Sequence, residues 1–153
     1  MMPNAYDSLP LKEDREFLNL SPPNSSSFKS LRVLVVDDNT DSLLLTAFIL
    51  EEYGVEVVTA ASAGEALKMF LEAKPDLLIC DIAMPGEDGY SVIRKIRLLE
   101  PEQGGQIPAI ALTASAREED RSLSMEVGFQ VHLTKPIEPA ELVGRVAALA
   151  RRF

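Results

Sequence analysis

The sequence predicts an α/β domain built as a doubly wound, five-stranded parallel sheet with strand order 2-1-3-4-5, and three observations carry that expectation. From Leu31 onward, apolar runs alternate five times with amphipathic stretches, the pattern of βαβ units. Runs such as Leu77–Cys80 are too short for helices of their own and lack polar alternation, as strands buried on both faces do. Four of the five runs end in polar or charged residues, Asp37 with Asp38, Asp81, Thr113 and Lys135. Open parallel sheets place their chemistry at those carboxyl ends, and right-handed crossovers make order 2-1-3-4-5 the common solution for five strands, with its switch point between strands 1 and 3.

Composition bounds the function. At 153 residues and 46% hydrophobic content the chain supports one domain with an ordinary core. A net charge of -9 and a pI near 4.6 argue against a nucleic-acid surface, which needs clustered Lys and Arg. Cys80 is the single cysteine, and its apolar neighbours make it a small buried hydrophobe in a reducing compartment. No run approaches transmembrane length, so the expectation is a cytoplasmic protein with no membrane association. Residues 1–30, with Pro3, Pro10, Pro22, Pro23 and the polar run Asn24–Ser27, read as a flexible tail, and 31–153 as the domain. Within the tail, Leu11–Leu20 has the makings of a short helix that lays Phe17 and Leu18 on the domain.

The elements follow in order. Strand 1 is Arg32–Val36, and a helix over Asp41–Tyr53 carries Leu44, Leu45, Phe48 and Ile49 at helical spacing before Gly54 stops it. Strand 2 is Glu56–Ala60. Ser62 and Glu65 form a capping box for the next helix, whose Ala66, Leu67 and Phe70 face inward. Strand 3 is Leu77–Cys80, with Pro85, Gly86 and Gly89 marking a loop across its carboxyl end. The third helix points Val92, Ile93 and Ile96 to the core and Arg94, Lys95 and Arg97 to water. Strand 4 is Ala109–Leu112, ending at Thr113, and Ser115 with Glu118 repeats the capping-box spacing for a helix to Val127 whose polar face buries little. Strand 5 is Gln130–Thr134, and Pro139 opens a last helix with Leu142, Val146, Leu149 and Phe153 inside.

The strand ends carry chemistry. Carboxylates of Asp37, Asp38 and Asp81 brought to one rim repel one another unless a cation neutralises them, and a hard divalent ion such as Mg²⁺ suits all-oxygen ligands. An aspartate can then attack phosphorus to form an acyl phosphate, with metal and an ammonium stabilising the transferring group. Asp81 on the central strand is the candidate nucleophile, Lys135 the ammonium, and Thr113 a hydroxyl donor to a phosphoryl oxygen. Singly, these residues read as a helix cap, a strand residue and a solvated lysine; jointly they read as a phosphate site.

VLVVDD at 33–38, LLICDIAMPGEDGY at 77–90, ALTA at 111–114 and the Lys135-Pro136 pair resemble the receiver domain of two-component response regulators, and EQGGQIPAIALTA at 102–114 with GFQVHLTKP at 128–136 resembles receivers attached to hybrid sensor histidine kinases. The resemblance covers Leu31 to Arg152 and implies a flavodoxin-like fold, Asp81 as phosphoacceptor, and Mg²⁺ held by Asp37, Asp38, Asp81 and the backbone carbonyl of Ala83. It also implies Thr113 and Lys135 on the phosphoryl group, a cis peptide before Pro136, and a histidine kinase or histidine phosphotransfer protein as donor. Output is expected through a downstream protein or a homodimer on the last two helices and strand 5, with no enzymatic activity beyond self-phosphorylation and self-dephosphorylation. Thr113 and His132 occupy the family's switch positions. His132 stands where Tyr or Phe is usual, and the alternation along strand 5 places it on the rim near Thr113, as a polar coupling whose strength varies with pH between about 5.5 and 7.5. A Mg²⁺-dependent aspartyl phosphatase needs an acid two residues after the nucleophile, where this chain has Ala83, and a non-phosphorylated pseudo-receiver would lack site residues that are present here.

Overall fold

Each apolar run becomes a strand in the computed structural model, which describes residues 28, 30–84, 89–114 and 117–150. In chain order the elements are β1 (Arg32–Val36), α1 (Thr40–Glu51), β2 (Glu56–Ala60), α2 (Ala63–Ala73), β3 (Leu77–Asp81) and α3 (Gly89–Arg97). A 3-10 turn at Pro101–Gln103 precedes β4 (Ala109–Thr113), α4 (Glu118–Val127), β5 (Val131–Thr134) and α5 (Pro139–Ala150). All neighbouring strands are parallel and the order is β2-β1-β3-β4-β5, as expected. Because β3 and β4 are buried along their whole length, alternate residues feed two separate cores.

Val33, Val35, Ile79, Ile110 and Leu112 face α1 and α5, while Leu34, Val36, Leu78, Cys80 and Ala111 face α2 and α3. Edge strand β2 exposes Glu56 and Thr59, which discourages pairing with another chain. Ser62 caps α2 by accepting from the Glu65 amide, whereas the Glu65 carboxylate returns to the amide of Ala61, one residue short of a capping box.

Several expectations change. On α1 the buried residues are Leu43, Thr46, Ala47, Ile49 and Leu50, while Leu44, Leu45 and Phe48 point outward. The helix is apolar nearly all round, so its periodicity does not single out an inner face. Arg97 does not face water: its guanidinium lies half-buried and donates to the carbonyls of Gly128 at 2.6 Å and Gly105 at 3.0 Å, tying the end of α3 to two loops. Helix α4 starts at Glu118 behind Arg117, which makes no side-chain cap bond, and it buries only Ser124. The proposed cap Ser115 lies outside the described residues, as do Pro85, Gly86, Phe153 and the Leu11–Leu20 segment. Phe28, read as tail, is 3% exposed and packs edge-on against Tyr53 with ring centroids 6.4 Å apart. Among the described residues no helix is long and apolar enough to cross a membrane.

Candidate functional site

The carboxyl ends of β1 and β3 lie side by side, because Val36 pairs with Cys80 in the parallel register. The next residue of each strand therefore brings Asp37 and Asp81 together, and Asp38 joins them from the start of the β1–α1 connection. Carboxylate oxygens of Asp37, Asp38 and Asp81 all lie within 4.8 Å of one another. Asp37 and Asp81 are buried and Asp38 is exposed, so the cluster opens to solvent on one side.

The connection after β1 is shaped by its own polar residues. Asn39 caps α1, accepting from the Ser42 amide at 2.9 Å, and its own amide donates to Asp37 Oδ1 at 3.0 Å. Asp81 Oδ1 accepts from the Ala83 amide at 3.0 Å, an equivalent turn after β3. These bonds fix one oxygen of each carboxylate and leave the other facing the cluster.

Lys135 completes the group from the far side of the sheet. Its backbone amide donates to the Thr113 carbonyl at 2.7 Å, and the Lys135–Pro136 peptide is cis, as the resemblance implied. Its ammonium then spans β4 to reach Asp37 Oδ2 at 3.0 Å and Asp81 Oδ2 at 3.3 Å. Thr113 is buried at the end of β4.

The two buried acids titrate in opposite directions. Burial favours the neutral form of Asp37, but hydrogen bonds from Asn39, Ser42 and Lys135 outweigh it and hold the carboxyl below its ordinary value. For Asp81 burial dominates, and with the neighbouring Asp37 charge it pushes the carboxyl up despite the Ala83 amide and the Lys135 charge. Burial disfavours the Lys135 ammonium, yet its bonds to Asp37 and the charges of both acids hold it above the ordinary lysine value. One cation thus faces more than one anion, and the excess negative charge, carried by oxygens alone, fits a hard divalent ion.

Residues 33–147 match the model of the response regulator receiver domain family. This chain belongs to that family. A 14.6 kDa protein of Leptolyngbya boryana is 47% identical over 121 residues, covering 79% of this chain and 91% of that protein. The alkaline phosphatase synthesis transcriptional regulatory protein PhoP of Bacillus subtilis is 38% identical over 121 residues, covering 79% of this chain but 49% of PhoP. This receiver thus spans nearly all of the Leptolyngbya boryana relative and about half of the transcriptional regulator. The crystal structure of a putative response regulator from Chloroflexus aurantiacus superposes with a TM-score of 0.75 at 36% identity, covering 80% of this chain and 98% of that one.

Of the residues singled out from sequence, Asp37, Asp38, Asp81 and Lys135 come together, and Thr113 and Ala83 are joined to them through backbone bonds. His132 does not. It pairs with Ala111, two residues inside the Thr113–Thr134 pair at the strand ends, is 4% exposed, and its Nδ1 lies 2.9 Å from Ser124 Oγ on α4. The Ser124 hydroxyl also donates to the Arg121 carbonyl at 2.9 Å, and Nε2 of His132 is buried with no hydrogen-bond partner among the described residues. Ser124 was missed because a serine on a polar helix carries no sign of burial. Gly89, read as a loop marker and as the start of the third helix, carries a further constraint: a Cβ there would lie 2.5 Å from the Asp81 carbonyl oxygen. Its missing side chain lets α3 begin against the end of β3.

Proposed function

We infer that this receiver takes a phosphoryl group onto Asp81 from a phosphohistidine of a histidine kinase or histidine phosphotransfer protein. An Asp81 carboxylate oxygen attacks phosphorus, an O–P bond forms as the donor N–P bond breaks, and the released imidazole nitrogen keeps the electron pair and takes a proton. The Lys135 ammonium offsets charge on the equatorial oxygens, and the Thr113 hydroxyl donates to one of them. Mg²⁺ would be held by Asp37, Asp38, Asp81 and the Ala83 carbonyl, and would supply charge neutralisation between the acids and the incoming phosphoryl group. Output runs through protein contact on α4, β5 and α5, either to a downstream protein or to a second copy, with Thr113 and His132 as the coupling residues. On this reading the domain carries no other enzymatic activity, binds no nucleic acid itself, and works in the cytoplasm as residues 31–153 behind the tail.

The observation that carries this reading is the ammonium of Lys135 lying 3.0 and 3.3 Å from Asp37 and Asp81, with Asp38 alongside. The test is incubation with Mg²⁺ and acetyl phosphate, followed by peptide mass spectrometry. The expected phosphate mass shift maps to Asp81 and is absent from Asp81→Asn, whose amide cannot attack phosphorus. Label on any other residue, or equal labelling of the Asn variant, overturns the assignment.

A further inference from the structure

A cavity of about 600 Å³, a size that suits a small ligand, lies between the C-terminal end of α4, the start of β5 and the last turns of α5. Met125, Val131, Ala148 and Leu149 make its wall apolar, and two guanidinium groups, those of Arg97 and Arg145, line it as well. No Asp or Glu is among the described residues of the wall, and Glu126, next to Met125 in sequence, is exposed on α4 without lining it. In a chain of net charge -9, two cations without an acid run against the overall balance.

Neither arginine has a counterion among the described residues. Arg97 uses four of its five N–H groups on neutral acceptors. Nε and Nη2 donate to the Gly128 carbonyl at 3.2 and 2.6 Å, Nη1 to the Gly105 carbonyl at 3.0 Å, and Nη2 also to Gln130 Oε1 at 3.4 Å. Gly128, at φ 131°, leaves room for this side chain, because a Cβ there would lie 3.0 Å from Arg97 Nε. Burial holds the guanidinium below its ordinary pKa, and no carboxylate offsets that cost. The four bonds also fix its plane, so an incoming anion meets a charge already in place. Arg145 is exposed on α5 and makes no hydrogen bond or ion pair among the described residues, which leaves its donor fork available.

An occupant therefore needs an oxyanion for the guanidinium groups and an apolar body for the wall. Carboxylate and phosphate both match a guanidinium fork. We propose that this cavity binds a small organic anion, a carboxylate or phosphate head on an aliphatic body, with the head toward Arg97 and Arg145 and the body on Met125, Val131, Ala148 and Leu149. The site is separate from the phosphoryl chemistry, since Gln130 and Lys135 lie at opposite ends of β5. Its walls belong to α4, β5 and α5, so a bound anion would occupy part of the face assigned above to protein contact.

The experiment is calorimetric titration of the full chain with octanoate and octyl phosphate. Acetate and inorganic phosphate supply the heads alone, and octanol the body alone. At least one long-chain anion should bind saturably at a single site, about tenfold or more tighter than its own head or octanol. Arg145→Gln, at an exposed side chain, should leave the melting temperature unmoved and weaken that binding about tenfold. Ala148→Phe fills the cavity while keeping both charges and should abolish it. Binding of octanoate alone assigns a carboxylate head, and of octyl phosphate alone a phosphate head. No saturation below about 10 mM, octanol binding as tight as the anions, or unchanged affinity in either variant overturns the proposal. Wild-type dimers that Arg145→Gln dissolves also overturn it, because they assign the cavity to a second copy.

Discussion

Removal of the Lys135 ammonium tests the charge balance of the site most directly. At an effective dielectric constant of about 20, the 3.0 and 3.3 Å contacts to Asp37 and Asp81 correspond to gross attractions of about 5.5 and 5.0 kcal/mol, and carboxylates no more than 4.8 Å apart repel by about 3.5 kcal/mol. Lys135→Met loses both attractions, recovers the cost of desolvating an ammonium that keeps 21% side-chain exposure, and leaves the repulsion uncompensated. Breaking a buried pair from one side typically costs about 3–5 kcal/mol, and the partial exposure of the lysine sets the expectation at the lower end, about 3 kcal/mol. Because the Lys135 pKa is raised in the fold, its contribution is complete below its ordinary value of 10.5 and is lost only as pH rises through the folded value, so neutral pH measures it in full. Urea unfolding at pH 7.5 without Mg²⁺ should show this loss, and adding Asp81→Asn should return at least about 1 kcal/mol of it by removing one of the repelling charges. A Lys135→Met variant within about 0.5 kcal/mol of wild type, or a double variant no more stable than the single one, would refute the electrostatic account.

Further expectations rest on separate observations. Mg²⁺ should raise the melting temperature saturably, and Asp37→Asn with Asp38→Asn should abolish the shift; an equal shift in the variant would show that the acid cluster is not where the metal binds. Asp37, with its lowered pKa, contributes stability that is complete above its ordinary value of 3.8 and is lost as pH falls through the lower folded value, so Asp37→Asn should flatten the acid limb of the stability profile below about pH 4, measured by denaturant midpoint in EDTA. Gly89→Ala should cost about 1–3 kcal/mol, because its Cβ would meet backbone atoms of Asp81 and Ile82 at 2.5 and 2.7 Å that have no soft side chain to yield. Ser124→Ala strands the buried Nδ1 of His132 and should cost about 1–3 kcal/mol, with His132→Phe restoring part of the loss in that background; a neutral Ser124→Ala would show that the bond does not hold α4 to β5.

What the sequence alone determined is what depends on short-range pattern. Strand ends at Val36 and Ala60 were legible because β-runs terminate in residues of a different kind, and the order of the sheet followed from crossover handedness. Asp37, Asp38, Asp81 and Lys135 were legible as one site because every parallel strand delivers its next residue to the same edge. Tertiary structure decided what local pattern leaves degenerate. The outer face of α1 was hidden because Leu43, Leu44, Leu45, Phe48, Ile49 and Leu50 surround the helix, and only the positions of β1, β2 and α5 select which of them are covered. Arg97 reads as solvated in any amphipathic helix, and it is the carbonyls of Gly105 and Gly128, distant in sequence, that draw it inward. His132 was placed on the correct face by alternation, but its depth and its bond to Ser124 depend on how far α4 packs over β5, a distance that no periodicity encodes.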